Sequence, residues 1–230
     1  MAAINHQWLS RWFEARGISL WGIADLSVLM GESPSPPYPR GVAFSVAMDK
    51  EIMASIKAGP NRSYADEYNR VNLIIDQLGA ELSRDIRAIG YNAIHLAASK
   101  RTDLEKIAGE FPHKTVATLA GLGWIGKCCQ LVTRTDGPWV RLGSVFTDAP
   151  LPTGKPVTTS FCGSCSECVK ACPAGAITGE SWKAGVEREA LLDPSKCDHF
   201  KKRRFKQFNA GHNCNICGAA CPYGLKSLKP

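Results

Sequence analysis

The sequence predicts a mixed α/β (α+β) amino-terminal domain followed by a small cysteine-rich domain. Helical and strand-like segments alternate through about residue 150, as in layered α/β proteins. No cysteine precedes Cys128, and eight of the ten lie between Cys162 and Cys221. The turn-rich segment PLPTGKP, residues 150–156, precedes this cysteine-rich stretch. We therefore expect one domain over residues 1–152 and a second over residues 153–230.

Hydrophobic periodicity predicts the first elements of the amino-terminal domain. Apolar residues at helical spacing predict helices over residues 4–16 and 64–89, and Gly90 is suited to end the second helix. The segments 18–26 and 41–48 are predicted to be strands, because they are rich in β-branched and aromatic residues. A proline-rich turn separates these two strands.

Three further elements complete the predicted domain. Residues 91–98 are expected to form a buried strand. Residues 102–110 are expected to form a short helix with Thr102 or Asp103 at its N-cap. Residues 129–149 are expected to form two strands around an Asp-Gly turn.

Composition and charge restrict the protein class. The chain has 230 residues, of which 44% are hydrophobic, and it shows neither a secretory leader pattern nor an apolar run as long as a spanning helix. We therefore expect a cytoplasmic protein without a membrane partner. The formal charge is +7, and binding of two iron–sulfur clusters by eight thiolates would reduce it to about +3. An acidic redox partner, such as a ferredoxin or flavodoxin, or a nucleic acid is compatible with this charge.

The cysteine spacing predicts iron–sulfur clusters. Residues 162–173 follow the pattern CxxCxxCxxxCP, and residues 214–222 follow CxxCxxxCP. In two-cluster ferredoxins such a run supplies three thiolates to one [4Fe–4S] cluster, and its fourth cysteine binds the other cluster. Two structural zinc ions are the alternative, but the run of three closely spaced cysteines followed by CP favours iron.

Eight cysteines complete two four-ligand sets if Cys197 joins the second motif. The first predicted cluster is bound by Cys162, Cys165, Cys168 and Cys221, and the second by Cys172, Cys197, Cys214 and Cys217. Each motif thus sends its last cysteine to the other cluster.

Five segments of the sequence resemble one known family. These segments are AGLGWIGK at 120–127, RLGSVFTDAPL at 141–151, the cysteine run at 162–177, the isolated Cys197 and CNICGAACP at 214–222. Together they resemble the epoxyqueuosine reductases, which are related to the reductive dehalogenases. The resemblance covers about residues 113–222.

The resemblance implies a fold, an activity and a cofactor. It implies a nitroreductase-like amino-terminal domain that holds cobalamin and a ferredoxin-like domain whose two [4Fe–4S] clusters supply it with electrons. The substrate would be a small molecule, a corrinoid or a tRNA nucleoside. The positions carried over as a cofactor-facing surface are Gly121, Gly123, Trp124, Gly126, Lys127, Thr147 and Asp148.

Departures from the family pattern leave the catalytic residues and the role of the chain open. Ile107 occupies the position at which the family carries an acidic proton donor, and the nearest alternatives are Glu110 and His113. Cys128 and Cys129 directly follow the glycine-rich loop. Either at least one of them is a small buried apolar residue, or one of them is a thiolate that Lys127 activates. The family's helical repeats, which help to hold tRNA, are not expected here. A non-catalytic electron carrier, or a reductive activator of a partner's corrinoid or flavin, is therefore the alternative function.

Overall fold

The computed structural model describes residues 4–228 and has a mixed α/β architecture. Its elements are α1 (His6–Glu14), β1 (Trp21–Asp25), β2 (Arg40–Ala47), α2 (Lys50–Ser55), α3 (Arg62–Ala88), β3 (Ala93–His95), α4 (His113–Leu119), β4 (Trp124–Ile125), β5 (Leu131–Val132), β6 (Val140–Thr147), α5 (Glu167–Ala171), α6 (Arg188–Leu191), α7 (Pro194–Arg204), α8 (Ile216–Ala219) and α9 (Pro222–Lys226). Two 3-10 turns, Ser27–Leu29 and Asn209–Gly211, are also present. Over residues 4–228, no helix combines the length and apolar character needed to cross a membrane.

The chain folds into two compact units, each built from several segments. Unit 1 contains residues 1–46, 72–122 and 141–157, and unit 2 contains residues 47–71, 123–140 and 158–230. Both units therefore draw on segments before and after residue 152. The predicted contiguous domains, 1–152 and 153–230, stay a prediction.

Unit 1 is built around a four-stranded sheet with the strand order β1-β2-β6-β3. β1 pairs antiparallel with β2, so that Ile23 is opposite Val42, and β3 pairs antiparallel with β6. α4 packs against β1. The predicted strands at 18–26 and 41–48 are confirmed, and their central residues are buried.

The predicted helices at 4–16 and 64–89 are confirmed as α1 and α3. The Asn5 side chain accepts a hydrogen bond from the Trp8 amide at 2.9 Å and so caps the start of α1. Phe13 on α1 is fully buried, and its ring stacks on Trp21 of β1 at 5.0 Å. The Gly90 backbone has a positive φ of 106°, as expected at a helix end.

Two of the predicted elements differ from the structure. β3 confirms a strand within 91–98, but Ile94 is 47% exposed, so the prediction of a buried strand is wrong. Burial alternates along β3, with Ala93 buried and Ile94 exposed, so one face of this strand is covered and the other is exposed. The predicted helix at 102–110 is also wrong. Asp103 accepts the Lys106 amide through its side chain, and Ile107 has a φ of 53°, so the segment closes as a turn.

Unit 2 contains short helices and the small antiparallel sheet β4-β5. α5 and α2 both pack against α8, and α8 contacts α9. The fully buried Trp139 donates its indole N–H to the Gly218 carbonyl of α8 at 2.8 Å. The two strands predicted within 129–149 are confirmed as β5 and β6, but they belong to different sheets.

Candidate iron–sulfur and cofactor sites

The eight clustered cysteines lie on short loops and helices of unit 2, and none of the ten cysteines forms a disulfide. Cys165 donates its amide to the Cys162 carbonyl at 3.1 Å, which closes the first CxxC turn. The remaining members of the first motif lie at α5, Cys197 lies on α7, and the second motif surrounds α8. Because α5 packs against α8, the structure brings the two motifs together.

One set of thiols surrounds Cys217. Burial raises the pKa of Cys217, and the neighbouring Cys214, Cys197 and Cys172 raise it further, followed by Cys168 of the other predicted ligand set. Burial likewise raises the pKa of Cys214, with smaller contributions from Cys197 and Cys172. Apart from Cys168, these residues are the predicted ligands of the second cluster, and they include Cys172 from the first motif.

A second set of thiols surrounds Cys221. Burial raises the pKa of Cys221 to about 11, with smaller contributions from Cys162 and Cys168. Cys221 follows α8, whereas Cys162 and Cys168 belong to the first motif. The last cysteine of each motif therefore interacts with thiols of the other motif.

These surroundings fit iron–sulfur clusters by their donor chemistry. Thiolates that are close together and partly buried repel one another, so a bound cationic group is needed to stabilise them. Among residues 4–228 no group of three or more His, Cys, Asp and Glu side chains is arranged to hold a single metal ion.

The three glycines of the loop at 121–126 allow this loop to pack closely against other segments of the chain. A Cβ on Gly121 would lie 2.7 Å from the Lys155 carbonyl oxygen, and one on Gly123 would lie 2.2 Å from the Val132 carbonyl oxygen. At Gly126 a Cβ would meet the Val132 side chain at 2.8 Å. Gly121 belongs to unit 1, and Gly123 and Gly126 belong to unit 2. Packing within each unit accounts for all three glycines.

Trp124 is buried inside unit 2. Its ring makes edge contacts with Phe161 at 5.1 Å and Tyr223 at 4.8 Å. Its indole N–H is buried without a hydrogen-bond partner among the described residues. Such a donor is costly to bury unless a bound group accepts from it. Phe161 and Tyr223 flank Cys162 and Cys221 in sequence, so this donor lies near the first thiol set.

Thr147 and Asp148 hold the turn before β3 in unit 1. The Thr147 hydroxyl donates to the Asn92 carbonyl at 2.6 Å and accepts from the Ala149 amide at 3.1 Å. The Asp148 carboxylate accepts from the Asn92 amide at 2.8 Å and from its side chain at 2.6 Å. Both residues thus have hydrogen-bonding roles within unit 1. Their predicted role at a cofactor stays a prediction.

The cysteine-rich segment matches a known protein family. Residues 161–224 match the 4Fe-4S double cluster binding domain. The prediction of iron–sulfur clusters instead of zinc is therefore confirmed for this segment.

Curated relatives extend the comparison beyond the clusters. An epoxyqueuosine reductase of Listeria monocytogenes is 37% identical over 115 residues, which are 50% of this chain and 30% of the relative. An epoxyqueuosine reductase of Pseudomonas aeruginosa is 27% identical over 240 residues, covering 94% of this chain and 60% of the relative. The chain is related to the epoxyqueuosine reductases. It spans less than two thirds of the length of these relatives.

Solved structures show the same fold. A reductive dehalogenase, described as suggesting a mechanism for B12-dependent dehalogenation, has a TM-score of 0.71 and 19% identity, over 92% of this chain and 30% of its own. An epoxyqueuosine reductase solved with an epoxyqueuosine-modified tRNA stem loop has a TM-score of 0.59 and 18% identity, over 96% of this chain and 66% of its own. The mixed α/β fold of this epoxyqueuosine reductase relative is thus shared with both groups.

Cys128 and Cys129 are both buried. The contact with Cys168, together with burial, raises the pKa of Cys128. The same contact lowers the pKa of Cys168 to about 7, and the nearby charge of Lys127 contributes to this shift. The contact with Cys128 thus favours the thiolate form of Cys168, with a smaller contribution from the charge of Lys127.

The two predicted proton-donor candidates differ in their surroundings. Burial lowers the pKa of His113 to about 4, and its Nδ1 lies 2.9 Å from the Ser144 hydroxyl. At neutral pH this imidazole is therefore uncharged and a poor proton donor. Glu110 is exposed on a loop of unit 1. The role of either residue in proton transfer stays a prediction.

Gln130 is a site residue that the sequence analysis missed. Its Nε2 donates to the Asn215 side-chain oxygen at 2.6 Å and lies 3.9 Å from the Cys217 sulfur. A glutamine that follows two cysteines has no distinctive pattern, and its contacts depend on residues more than eighty positions later in the chain. The only sequence signal near Gln130 was the adjacent GKCC segment, which lies in the same hairpin.

Proposed function

We propose that this epoxyqueuosine reductase relative is an iron–sulfur reductase with two [4Fe–4S] clusters. In this proposal electrons from a ferredoxin or flavodoxin pass through the clusters to a cobalamin bound by the amino-terminal domain. The clusters supply single-electron transfer, and the cobalamin supplies a strongly reducing cobalt. The cysteine thiols of unit 2 would hold the two clusters.

The grouping of the thiols carries this proposal. Cys217 interacts with Cys214, Cys197 and Cys172 and less strongly with Cys168, whereas Cys221 interacts with Cys162 and Cys168. Cys165 joins the second of these groups through its turn with Cys162. These groups support the ligand sets that the spacing predicts, within a segment that matches a double-cluster domain.

The proposal of cobalamin as the cofactor rests on the comparison with B12-dependent dehalogenation and on the seven positions carried over from the family. Most of these positions already have contacts within the chain, as shown for Trp124, Thr147 and Asp148. We therefore assign no reaction step to them. A nitroreductase-like fold of the amino-terminal domain and a cytoplasmic location are part of the same proposal.

Anaerobic reconstitution followed by cofactor titration tests the proposal. Iron and sulfide are measured first, and about eight irons per chain are expected. Hydroxocobalamin and FMN are then titrated separately and followed by absorbance under reduction. Binding of cobalamin and its reduction through the clusters support the proposal. Binding of neither group, or of FMN alone, contradicts the cobalamin assignment.

The substrate proposed first is an epoxyqueuosine-containing tRNA stem loop, because a related enzyme was solved with one. The loaded protein is expected to convert this nucleoside to queuosine, as measured by mass spectrometry of the digested RNA. Unchanged RNA in the presence of reduced clusters and bound cobalamin would contradict this substrate.

The second candidate function is an electron carrier or reductive activator of a partner's corrinoid or flavin. The contacts already made by Thr147 and Asp148 within unit 1 favour it, because they engage two of the residues expected to face a cofactor. A carrier would reduce a separate corrinoid protein without binding free cobalamin. A reductase would bind free cobalamin and would not reduce a separate corrinoid protein.

A further inference from the structure

Four side-chain amides gather around the second cysteine motif, residues 214–222. Gln130 reaches the motif from the hairpin of β4 and β5, and the other three, Asn209, Asn213 and Asn215, lie beside or within the motif in the sequence. All four residues belong to unit 2. A side-chain amide carries two N–H donors and one carbonyl acceptor, so it can bind one neighbour and still offer a donor to another group.

The Gln130 amide bridges the motif and one of its cysteines. Its Nε2 donates to the Asn215 side-chain oxygen at 2.6 Å and also donates to the Cys217 sulfur at 3.9 Å. A Cβ on Gly218 would lie 2.3 Å from the Asn215 oxygen, so the missing side chain leaves room for this pair. The contact with Asn215 therefore holds the Gln130 amide beside Cys217, a predicted ligand of the second cluster.

The Asn213 amide is oriented by a second set of hydrogen bonds. Asn213 is 1% exposed, and its side-chain oxygen accepts from the Asn209 amide at 2.8 Å. Asn209 is held in turn by Asn69 of α3, because each of these two amides donates to the other at 3.1 Å. Only the carbonyl oxygen of an amide can accept, so the bond from Asn209 fixes which way the Asn213 amide points.

This orientation leaves a buried donor beside a predicted ligand. The Nδ2 of Asn213 is buried without a partner among the described residues. Such groups are costly and rare in folded proteins, and a group that binds at the site is one way to satisfy them. Asn213 directly precedes Cys214, a predicted ligand of the second cluster. The sulfur atoms of a cluster at this ligand set are acceptors that suit the donor.

Hydrogen bonds to the sulfur atoms of a cluster affect its reduction potential. Reduction adds negative charge to the iron–sulfur core and its thiolates, so a nearby donor stabilises the reduced form more than the oxidised form. Removal of a donor therefore lowers the potential. A carboxylate in place of the amide lowers it further, because it adds a negative charge.

We propose that Gln130 and Asn213 donate hydrogen bonds at the second cluster and thereby raise its reduction potential. Gln130 donates to the Cys217 ligand, and Asn213 donates to the sulfur atoms beside Cys214. Neither amide binds iron. Asn209 and Asn215 are positioning residues, because they orient the two donors. This inference rests on the proposed two-cluster function.

Redox titration of two variants tests the inference. Gln130→Leu and Asn213→Leu each remove one donor with little change in volume, and the midpoint potentials of both clusters are followed by electron paramagnetic resonance. The signal that disappears in Cys172→Ala is assigned to the second cluster. Each leucine variant is expected to shift the midpoint of that cluster to a lower potential and to leave the other midpoint unchanged.

Two controls perturb the same surroundings without removing a donor to sulfur. Thr133→Ala removes a hydroxyl that bonds within the hairpin that carries Gln130. Asn69→Ala removes the exposed amide that holds Asn209. Both controls are expected to keep the native midpoints.

Isosteric variants separate the donor from the packing of the side chain. Gln130→Glu and Asn213→Asp keep the size of the side chain and replace the donor with a charged acceptor. Each is expected to lower the second midpoint further than the leucine variant at the same position. Iron is counted in every sample, so that loss of a cluster is distinguished from a change in its potential.

Three results would overturn the inference. The first is an unchanged second midpoint, with full iron content, in the leucine and the acidic variant at either position. The second is an equal shift of both midpoints, and the third is loss of the second cluster in all four variants, which would show a purely structural role. If the native protein binds no clusters, the iron count reveals that the proposed function itself has failed, and the inference fails with it.

Discussion

Gly224 illustrates how a single residue positions the predicted cluster ligands. A Cβ at this position would lie 2.4 Å from the ring of the buried Trp139. Gly224 belongs to α9, which begins directly after Cys221. Trp139 also donates to Gly218 of α8. The absence of a side chain at Gly224 thus allows both cysteine-bearing segments to pack against one tryptophan.

We predict that Gly224→Ala destabilises unit 2. Overpacking against Trp139 should lower the free energy of unfolding by about 1–3 kcal/mol, and the iron content should fall. Lys226→Ala is the matched control, because Lys226 is exposed on the same helix. Urea unfolding and iron analysis measure both effects. Equal stability and iron content in the two variants would contradict the packing argument.

Glu67 supports unit 2 through a buried carboxylate. It accepts hydrogen bonds from the Arg70 side chain at 2.7 and 2.9 Å and from the Asp49 amide at 2.9 Å. Burial acts to raise the pKa of Glu67, but these hydrogen bonds outweigh it and hold the pKa below the ordinary value of 4.5. The stabilisation is therefore present above about pH 4.5 and is lost as the pH falls through the lowered pKa.

We predict that Glu67→Gln lowers the free energy of unfolding at pH 7 by about 1–3 kcal/mol, because a buried acceptor for Arg70 and Asp49 is weakened. Below pH 4.5 the difference from the native protein should become smaller as the native carboxylate is protonated. Urea unfolding followed by circular dichroism measures this difference in the free energy of unfolding at each pH. Glu51→Gln, at an exposed position of α2, is the control for the loss of one carboxylate. A difference that grows on acidification would refute the assigned role.

Individual residues were predictable where sequence spacing alone defines them. The predicted cysteine ligand sets rest on the distances between cysteines along the chain, as in other two-cluster domains, and they stay a prediction. Gln130 and Trp139 could not be predicted, because their partners Cys217 and Gly218 are distant in sequence. Only the folded chain places these pairs together.

At the level of elements, α7 carries both a predicted ligand and a positive surface. Cys197 lies on this helix, and its last turn contains four consecutive basic residues. Lys202 pairs with the buried Asp198 at 2.8 Å, whereas Arg203 and Arg204 are exposed. Cationic residues at a helix C-terminus are also favoured by the helix dipole. This surface suits an acidic electron donor.

We predict that Arg203→Glu/Arg204→Glu slows reduction by flavodoxin about tenfold at low salt, because attraction to the donor is replaced by repulsion. High salt should reduce the difference. The control Lys57→Glu/Arg62→Glu changes the net charge equally at exposed positions of unit 2. Stopped-flow absorbance measures the rates. Equal slowing in both double variants would show that net charge, and not this helix, is responsible.

The elements themselves were predicted unequally. Long amphipathic segments such as α1 and α3 were found because many apolar positions share one period. Residues 102–110 were mistaken for a helix because a short segment carries little periodic information, and the Asp103 side chain can satisfy the Lys106 amide without a helix. The short helices around the cysteines were not predicted for the same reason.

At the level of the whole molecule, the cysteine pattern and the family resemblance identified the chain's relatives, and the comparisons confirmed them. The interleaving of three segments in each compact unit was not predicted. Composition shifts detect boundaries between contiguous domains, but they do not reveal which distant segments pack together.

Crossed ligation of two clusters is the central claim, and iron analysis of paired cysteine variants tests it most directly. Cys172→Ala removes one ligand of the second cluster and should leave about four irons per chain. Adding Cys214→Ala should cause no further loss, because both cysteines belong to the same cluster. Adding Cys162→Ala to Cys172→Ala should instead remove nearly all iron. The reverse pattern, with iron retained in the Cys162 pair and lost in the Cys214 pair, would contradict the account.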